Sequence, residues 1–295
     1  MQKKIYTSVI LVMLSVMSYA QKMTSMVYHQ YDSTDLSLDF FTPENFSNEA
    51  FPLVIYVHGG GFSGGNRTGG HKLGRHLAEK GIATASISYT LSRKGKGFGC
   101  DNAQQEKIKT MQLAASETWQ ATQFLLKKVN ELGFNPNQVF LAGSSAGAET
   151  VLHAAYLDRV KFNLHQSPLA PNFKYAGLIS GAGAILDLSF ITKENALPSM
   201  FFHGDADPLV PYGVASHHFC SPQSPGWMML FGSSAIAAHL TELNVSNHLY
   251  RFTEGGHVHA GHFFYRNQQN VATFIQDVLS GETFFNQTVS KSKAK

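Results

Sequence analysis

The sequence predicts an α/β fold: a mostly parallel central sheet with helices on both faces. Three observations carry that prediction. Residues 53–57 and 139–142 are continuously apolar, as strands covered on both faces must be. Helical periodicity fills the intervals between such runs, most clearly from Ile108 to Val129. Glycine-rich or acidic turns follow the strands at their carboxyl ends, where open α/β sheets place their sites.

The elements can be justified in order. Met1-Gln2-Lys3-Lys4 is a basic start, 5–17 an apolar core, and Ser18 and Ala20 the small residues of a cleavage site. Residues 1–20 therefore read as a signal peptide cleaved after Ala20. The competing reading, a membrane anchor, needs roughly 20 apolar residues and the run is shorter. Residues 21–295 read as one α/β domain with a polar tail from about 286.

Residues 26–31 and 36–41 alternate like an edge hairpin. Strand 53–57 runs into His58-Gly59-Gly60-Gly61-Phe62. A helix over 71–80, closed by Gly81, precedes a strand over 82–89. Ile108, Met111, Ala115, Trp119, Thr122, Leu126 and Val129 mark the core face of a long helix that stops near Gly133. Strand 138–142 enters Gly143-Ser144-Ser145-Ala146-Gly147, and a helix over 148–156 leaves it. Strands at 176–180, 199–203 and 247–252 and a last helix over 266–279 complete the alternation. Segment 208–232 is a long loop rich in Pro, Gly and Ser. Its apolar cluster, Trp227 to Phe231, either lines a substrate pocket or packs beneath the loop.

Composition excludes several function classes. Charged residues are 15% of the chain and 22 residues are Phe, so the apolar surface suffices for a large core and disorder is excluded. Lys and Arg exceed Asp and Glu by only 23 to 20 and are scattered, so no basic stripe for nucleic acid forms. No later segment is apolar enough to span a membrane. With the signal-like start, this points to an exported chain, periplasmic or secreted. Cys100 and Cys220 are then a disulfide candidate, with two free buried thiols as the alternative. His257, His259 and His262 lack the spacing of a zinc site, and residues 59–65 lack the lysine and spacing of a phosphate loop. Neither a metal nor a cofactor is expected.

The remaining motifs point to a nucleophile. G-x-S-x-G between a strand and a helix is the setting of a nucleophile elbow, which exposes one serine hydroxyl, here that of Ser145. A serine hydroxyl needs a base, and the base an orienting acid. The order Ser, acid, His is met downstream. His203-Gly204-Asp205-Ala206-Asp207 offers two acids, and Gly255-Gly256-His257-Val258-His259 two histidines. Asp187 is a further acid, or a helix N-cap.

Together, His58-Gly59-Gly60-Gly61-Phe62, Gly143-Ser144-Ser145-Ala146-Gly147, His203-Gly204-Asp205-Ala206-Asp207 and Gly255-Gly256-His257 resemble the four signatures of the HGGG-type α/β-hydrolase esterases. That group includes hormone-sensitive-lipase-like and carboxylesterase-like enzymes. The approach to the elbow, residues 132–139, is similar as well, and the likeness runs from about Leu36 to Leu279. The resemblance implies the α/β-hydrolase fold and a catalytic triad of Ser145, Asp207 and His257. It makes Asp205 a loop residue, leaves His259 as the fallback base, and gives His58 the task of organising the glycine loop. The oxyanion hole falls to the N–H groups of Gly60, Gly61 and Ala146, with Gly59 as their neighbour. The implied activity is hydrolysis of short-chain or carbohydrate-linked esters, of acetyl or feruloyl type. The segment that precedes the first strands is short, so a family-type N-terminal cap is not expected. A peptidase of prolyl-oligopeptidase type and a non-catalytic binding module are the competing readings, and the oligomeric state is left open.

Overall fold

The computed structural model describes residues 22–292 apart from 32–33, 44–49, 163 and 165–168. The expected signal peptide, 1–20, lies outside the described residues. The strands are β1 (Met23–Tyr31), β2 (Thr34–Phe41), β3 (Phe51–Val57), β4 (Ala83–Ile87), β5 (Phe134–Ser144), β6 (Gly177–Gly181), β7 (Ala184–Ile185), β8 (Ser199–Gly204), β9 (Val214–Ser216), β10 (Met229–Gly232), β11 (Asn247–Thr253) and β12 (Phe285–Lys291). The helices are α1 (His71–Glu79), α2 (Gln104–Leu126), α3 (Val129–Leu132), α4 (Ala146–Tyr156), α5 (Ser233–Glu242), α6 (His262–Tyr265) and α7 (Gln269–Ser280).

The main sheet has the order β1-β2-β4-β3-β5-β6-β8-β11-β12. β1, β2 and β4 pair antiparallel, and every junction from β4 to β12 is parallel. Strand β3 shows why its sequence is continuously apolar. Leu53, Ile55 and Val57 enter one core, while Val54 and Tyr56 enter another on the opposite face. The first core is closed by α2, α4 and α5 through residues such as Trp119, Val151 and Ile236. The second is closed by α1, α6 and α7 through Leu77, Phe264 and Ile275. Trp119 also donates its indole N–H to the Ala154 carbonyl at 2.7 Å, tying α2 to the helix that carries the elbow.

Three regions differ from the sequence reading, and one of them is α5, a helix over 233–242 where no element is expected. The polar tail from about 286 forms β12, a parallel edge strand whose seven residues are all exposed, which is why no apolar alternation announced it. Segment 208–232 is structured: β9 and β10 join β7 in a small antiparallel sheet. Its apolar cluster packs locally, with Met228 and Leu230 buried in the first core, and none of Trp227 to Phe231 lines the cavity beside Ser145. Cys100 and Cys220 are joined as a disulfide that pins this segment to the loop before α2.

Candidate active site

Ser145 stands between β5 and α4 with φ 54° and ψ −124°, a left-handed conformation that a non-glycine residue holds only under constraint. The neighbours supply the constraint. Ser145 N–H donates to the Gly181 carbonyl at 2.8 Å. A Cβ on Gly147 would sit 2.1 Å from the Val57 carbonyl, and one on Gly143 would sit 2.2 Å from the Gly147 carbonyl. The strain therefore rests on the serine itself, and the flanking glycines provide the space that lets α4 start hard against β3.

β8 and β11 end beside the elbow and deliver the other two side chains. Ser145 Oγ lies 2.7 Å from His257 Nε2, and His257 Nδ1 lies 2.6 Å from Asp207 Oδ2. Asp207 is buried, which by itself would raise its carboxyl. Hydrogen bonds and charge from His203 and His257 outweigh this and hold it well below the ordinary carboxylate range. The Leu209 and Val210 amides donate to its other oxygen at 2.8 and 3.1 Å. An ionised carboxylate only accepts, so His257 must present Nδ1–H to Asp207 and an acceptor Nε2 to the Ser145 hydroxyl. The arrangement can take the serine proton as the oxygen attacks a carbonyl.

The alternative groups are engaged elsewhere. Asp205 is clamped by Arg251 at 2.7 and 2.8 Å and accepts the Glu254 amide. Asp187 accepts the Ser189 amide at 2.8 Å and caps a short turn. His259 stacks on Phe252 with ring centres 4.1 Å apart and meets Ser292 Oγ at 3.0 Å, and His262 lies near Asn267. Among the described residues no cluster of three or more ligating side chains could hold a metal ion.

The glycine loop after β3 faces the same space. Gly60 and Gly61 have φ of 118° and 59°, and a Cβ on Gly60 would collide with the Gly64 carbonyl at 2.3 Å. Both residues, with Gly59 and Ala146, line a cavity of about 620 Å³ that holds Ser145 and His257. Ala146 opens α4, where first-turn N–H groups have no helical acceptor and the helix dipole favours negative charge. His58 holds the loop from behind. Its Nδ1 lies 2.7 Å from the Gly59 carbonyl, its ring stacks on Tyr89 at 4.5 Å, and Tyr89 O–H donates to its carbonyl. Burial pushes the His58 imidazole down, toward the neutral form.

Some lining residues have no counterpart in the sequence reading. Glu149, one helical turn after Ser145, faces the cavity, as do Phe98, His217 and His218. Burial, aided by the Asp207 charge and opposed by Lys107, holds the Glu149 carboxyl up at about 8. The i, i+4 spacing from Ser145 was the available signal, but only the packed structure shows that face of α4 turned to a cavity.

The chain is similar to known proteins in sequence and in fold. The family model described as BD-FAE matches residues 38–185, half of the chain and the span from β2 to β7. Fumonisin B1 esterase of Sphingopyxis macrogoltabida is 28% identical over 143 residues, covering 45% of this chain and 26% of that protein. Esterase B1 of Culex pipiens is 29% identical over 126 residues, covering 43% of this chain and 23% of that protein. The chain thus spans about a quarter of the length of these curated relatives. Thermogutta terrifontis esterase 2 phosphorylated by paraoxon superposes with a TM-score of 0.64 at 14% identity, covering 88% of this chain and 94% of that one. That match shows the fold. A matched family model reaching across the glycine loop and the elbow, on a sheet of this topology, leads to one assignment: the chain belongs to the BD-FAE family of α/β-hydrolase esterases.

Proposed function

We propose that this chain is an exported serine carboxylesterase that opens short-chain or carbohydrate-linked esters, of acetyl or feruloyl type, through an acyl-enzyme. The observation that carries the reading is the unbroken chain from Asp207 through His257 to Ser145, 2.6 and 2.7 Å long at its two links. Ser145 Oγ attacks the ester carbonyl while His257 Nε2 takes its proton. The negative oxygen of the tetrahedral intermediate is received by the N–H groups of Gly60, Gly61 and Ala146. His257 then returns the proton to the departing alcohol, and Asp207 favours the imidazolium that exists between these steps. Water activated by the same imidazole releases the acid.

The cavity volume of about 620 Å³ supports a substrate larger than an acetyl group alone, with a sugar or aromatic ring on one side of the ester. The disulfide is compatible with an oxidising compartment, and among the described residues no helix is long and apolar enough to cross a membrane. A panel of 4-nitrophenyl acetate, butyrate and octanoate, methyl ferulate, acetylated xylan and an aminoacyl-prolyl amide tests the reading. Hydrolysis confined to esters, with kcat lowered on the order of 10⁴-fold or more in Ser145→Ala, is expected. Amide turnover exceeding ester turnover would favour a peptidase, and unaltered activity in Ser145→Ala would remove the serine mechanism.

A further inference from the structure

The cavity beside Ser145 has a wall whose polar groups the ester mechanism does not use. Glu149 and His217 both line it and each is 1% exposed. Glu149 Oε1 and His217 Nδ1 are buried without a hydrogen-bond partner among the described residues. Glu149 Oε1 lies 3.4 Å from His217 Nε2, a contact that leaves the oxygen without a hydrogen bond and does not involve His217 Nδ1. Both residues line the cavity and each keeps a buried polar atom that no neighbour satisfies, so this wall holds hydrogen-bonding capacity that the fold itself does not use. Glu149 N–H donates to the Ser145 carbonyl at 2.9 Å, which places Glu149 one helical turn, about 6 Å of rise, beyond the attacking residue.

We propose that Glu149 and His217 form a hydrogen-bonding wall that selects esters carrying a hydroxyl group on the half of the molecule seated there. The inference rests on the esterase reading above and names the substrate feature the site recognises. Charge supports a neutral partner. Burial holds the Glu149 carboxyl at about 8, so at neutral pH it offers one O–H donor and an acceptor oxygen. Burial likewise pushes the His217 imidazole well down, leaving one donor and one acceptor nitrogen. Two uncharged groups of this kind match a hydroxyl and offer a carboxylate or ammonium no countercharge. The neighbouring ring fits the same ligand. Phe98 stands 5.3 Å from His217, edge to face, and gives the wall an apolar surface for the carbon skeleton that bears the hydroxyl.

Two matched ester pairs test the proposal and separate the two halves of the ester. Methyl 4-hydroxycinnamate against methyl cinnamate varies a hydroxyl on the acyl side. The monoacetate of cyclohexane-1,2-diol against cyclohexyl acetate varies one on the alcohol side. The ratio of kcat/KM within each pair is measured in the full chain, and the ratio of affinities in Ser145→Ala by calorimetry. In one pair the hydroxylated ester is expected to be favoured by about tenfold, a typical hydrogen-bond increment. That pair assigns the wall to its side of the ester. Glu149→Leu and His217→Phe should bring the ratio toward one, and Glu149→Gln, which keeps a donor and an acceptor, should retain it. Circular dichroism certifies folding of each variant, and His217→Phe decides alone if Glu149→Leu does not fold. Ratios near one in both pairs, or a preference that survives both substitutions, overturn the proposal. Loss of the esterase reading would show separately, as Ser145-independent or absent hydrolysis of 4-nitrophenyl acetate, while the calorimetric ratio still reports on the wall.

Discussion

At the residue scale, the site contrasts two carboxyls on neighbouring structure. Asp207 receives two backbone amides and two imidazoles, and it ionises readily. Glu149 sits in the cavity wall with an unpaired oxygen and keeps its proton to about pH 8. The sign of its effect on stability follows. In the unfolded chain Glu149 ionises near its ordinary value of 4.5, in the folded chain near 8, so the folded state holds the extra proton between these limits. Stability is present in full below the lower value and is lost as pH rises through the window. Lys107, Asp207, His217 and Tyr89 are the titratable groups that face it. A Gln in this position does not titrate. The advantage of Glu149→Gln over the parent chain in urea unfolding should therefore grow by about 1.4 kcal/mol per pH unit between pH 5 and 8 and then level. A difference independent of pH would mean that Glu149 ionises normally in the folded protein.

At the element scale, the segment between β8 and α5 decides the shape of the pocket. His218 and Phe219 both adopt left-handed backbone, with φ of 55° and 52°, immediately before Cys220. Such conformations cost about 1 kcal/mol or more each and persist where surrounding contacts determine them. The disulfide to Cys100 is one such contact. Lys107 is another: its ammonium is buried under the segment, donates to the Gly226 carbonyl at 3.0 Å and lies 5.6 Å from the centre of the Phe98 ring. Cys100→Ser with Cys220→Ser should lower stability by about 2–5 kcal/mol, since the bridge spans 120 residues. It should also raise KM for bulky esters more than it lowers kcat, because His217 and His218, next to Cys220, would lose their fixed place, while Ser145 and His257 stand on other elements and Asp207, at the start of the segment, is held by His203 and His257. An unchanged KM would show that β9 and β10 hold the wall unaided.

At the scale of the whole molecule, the sheet delivers the site and then extends past it. The loops after β3, β5, β8 and β11, all parallel neighbours or near neighbours in one sheet, converge on Ser145. Strand β12 lies beyond that group and covers the outer edge of β11 with seven exposed residues. Ending the chain after Phe284 keeps the Phe274–Phe284 ring contact and removes β12. The shortened protein should stay folded and active, with Tm lower by about 2–4 °C, and should aggregate more readily because a strand edge is bared. Loss of folding would place β12 among the elements the core depends on.

Much of this fold is legible in the sequence because the signals are local. Apolar runs for β3 and β5, the periodic stripe of α2 and the glycine-rich turns are all written within windows of a few residues, and so is the order of Ser145, Asp207 and His257 along the chain. Strand β12 escaped because a polar edge strand has no buried face to betray it, and α5 because it follows directly on a segment that reads as loop. The resemblance singled out Asp207 over Asp205, and the structure shows the physical difference: Arg251 occupies one, and His257 and His203 surround the other. Glu149, His217 and Phe98 are far apart in sequence and carry no motif, yet they meet in one wall. By itself the sequence determined the class of fold, the elbow and the order of the groups around it. Only the tertiary structure decided which carboxyl is ionised, which is kept neutral and what kind of surface the ester meets, because burial and charge depend on neighbours that the chain brings together from a distance.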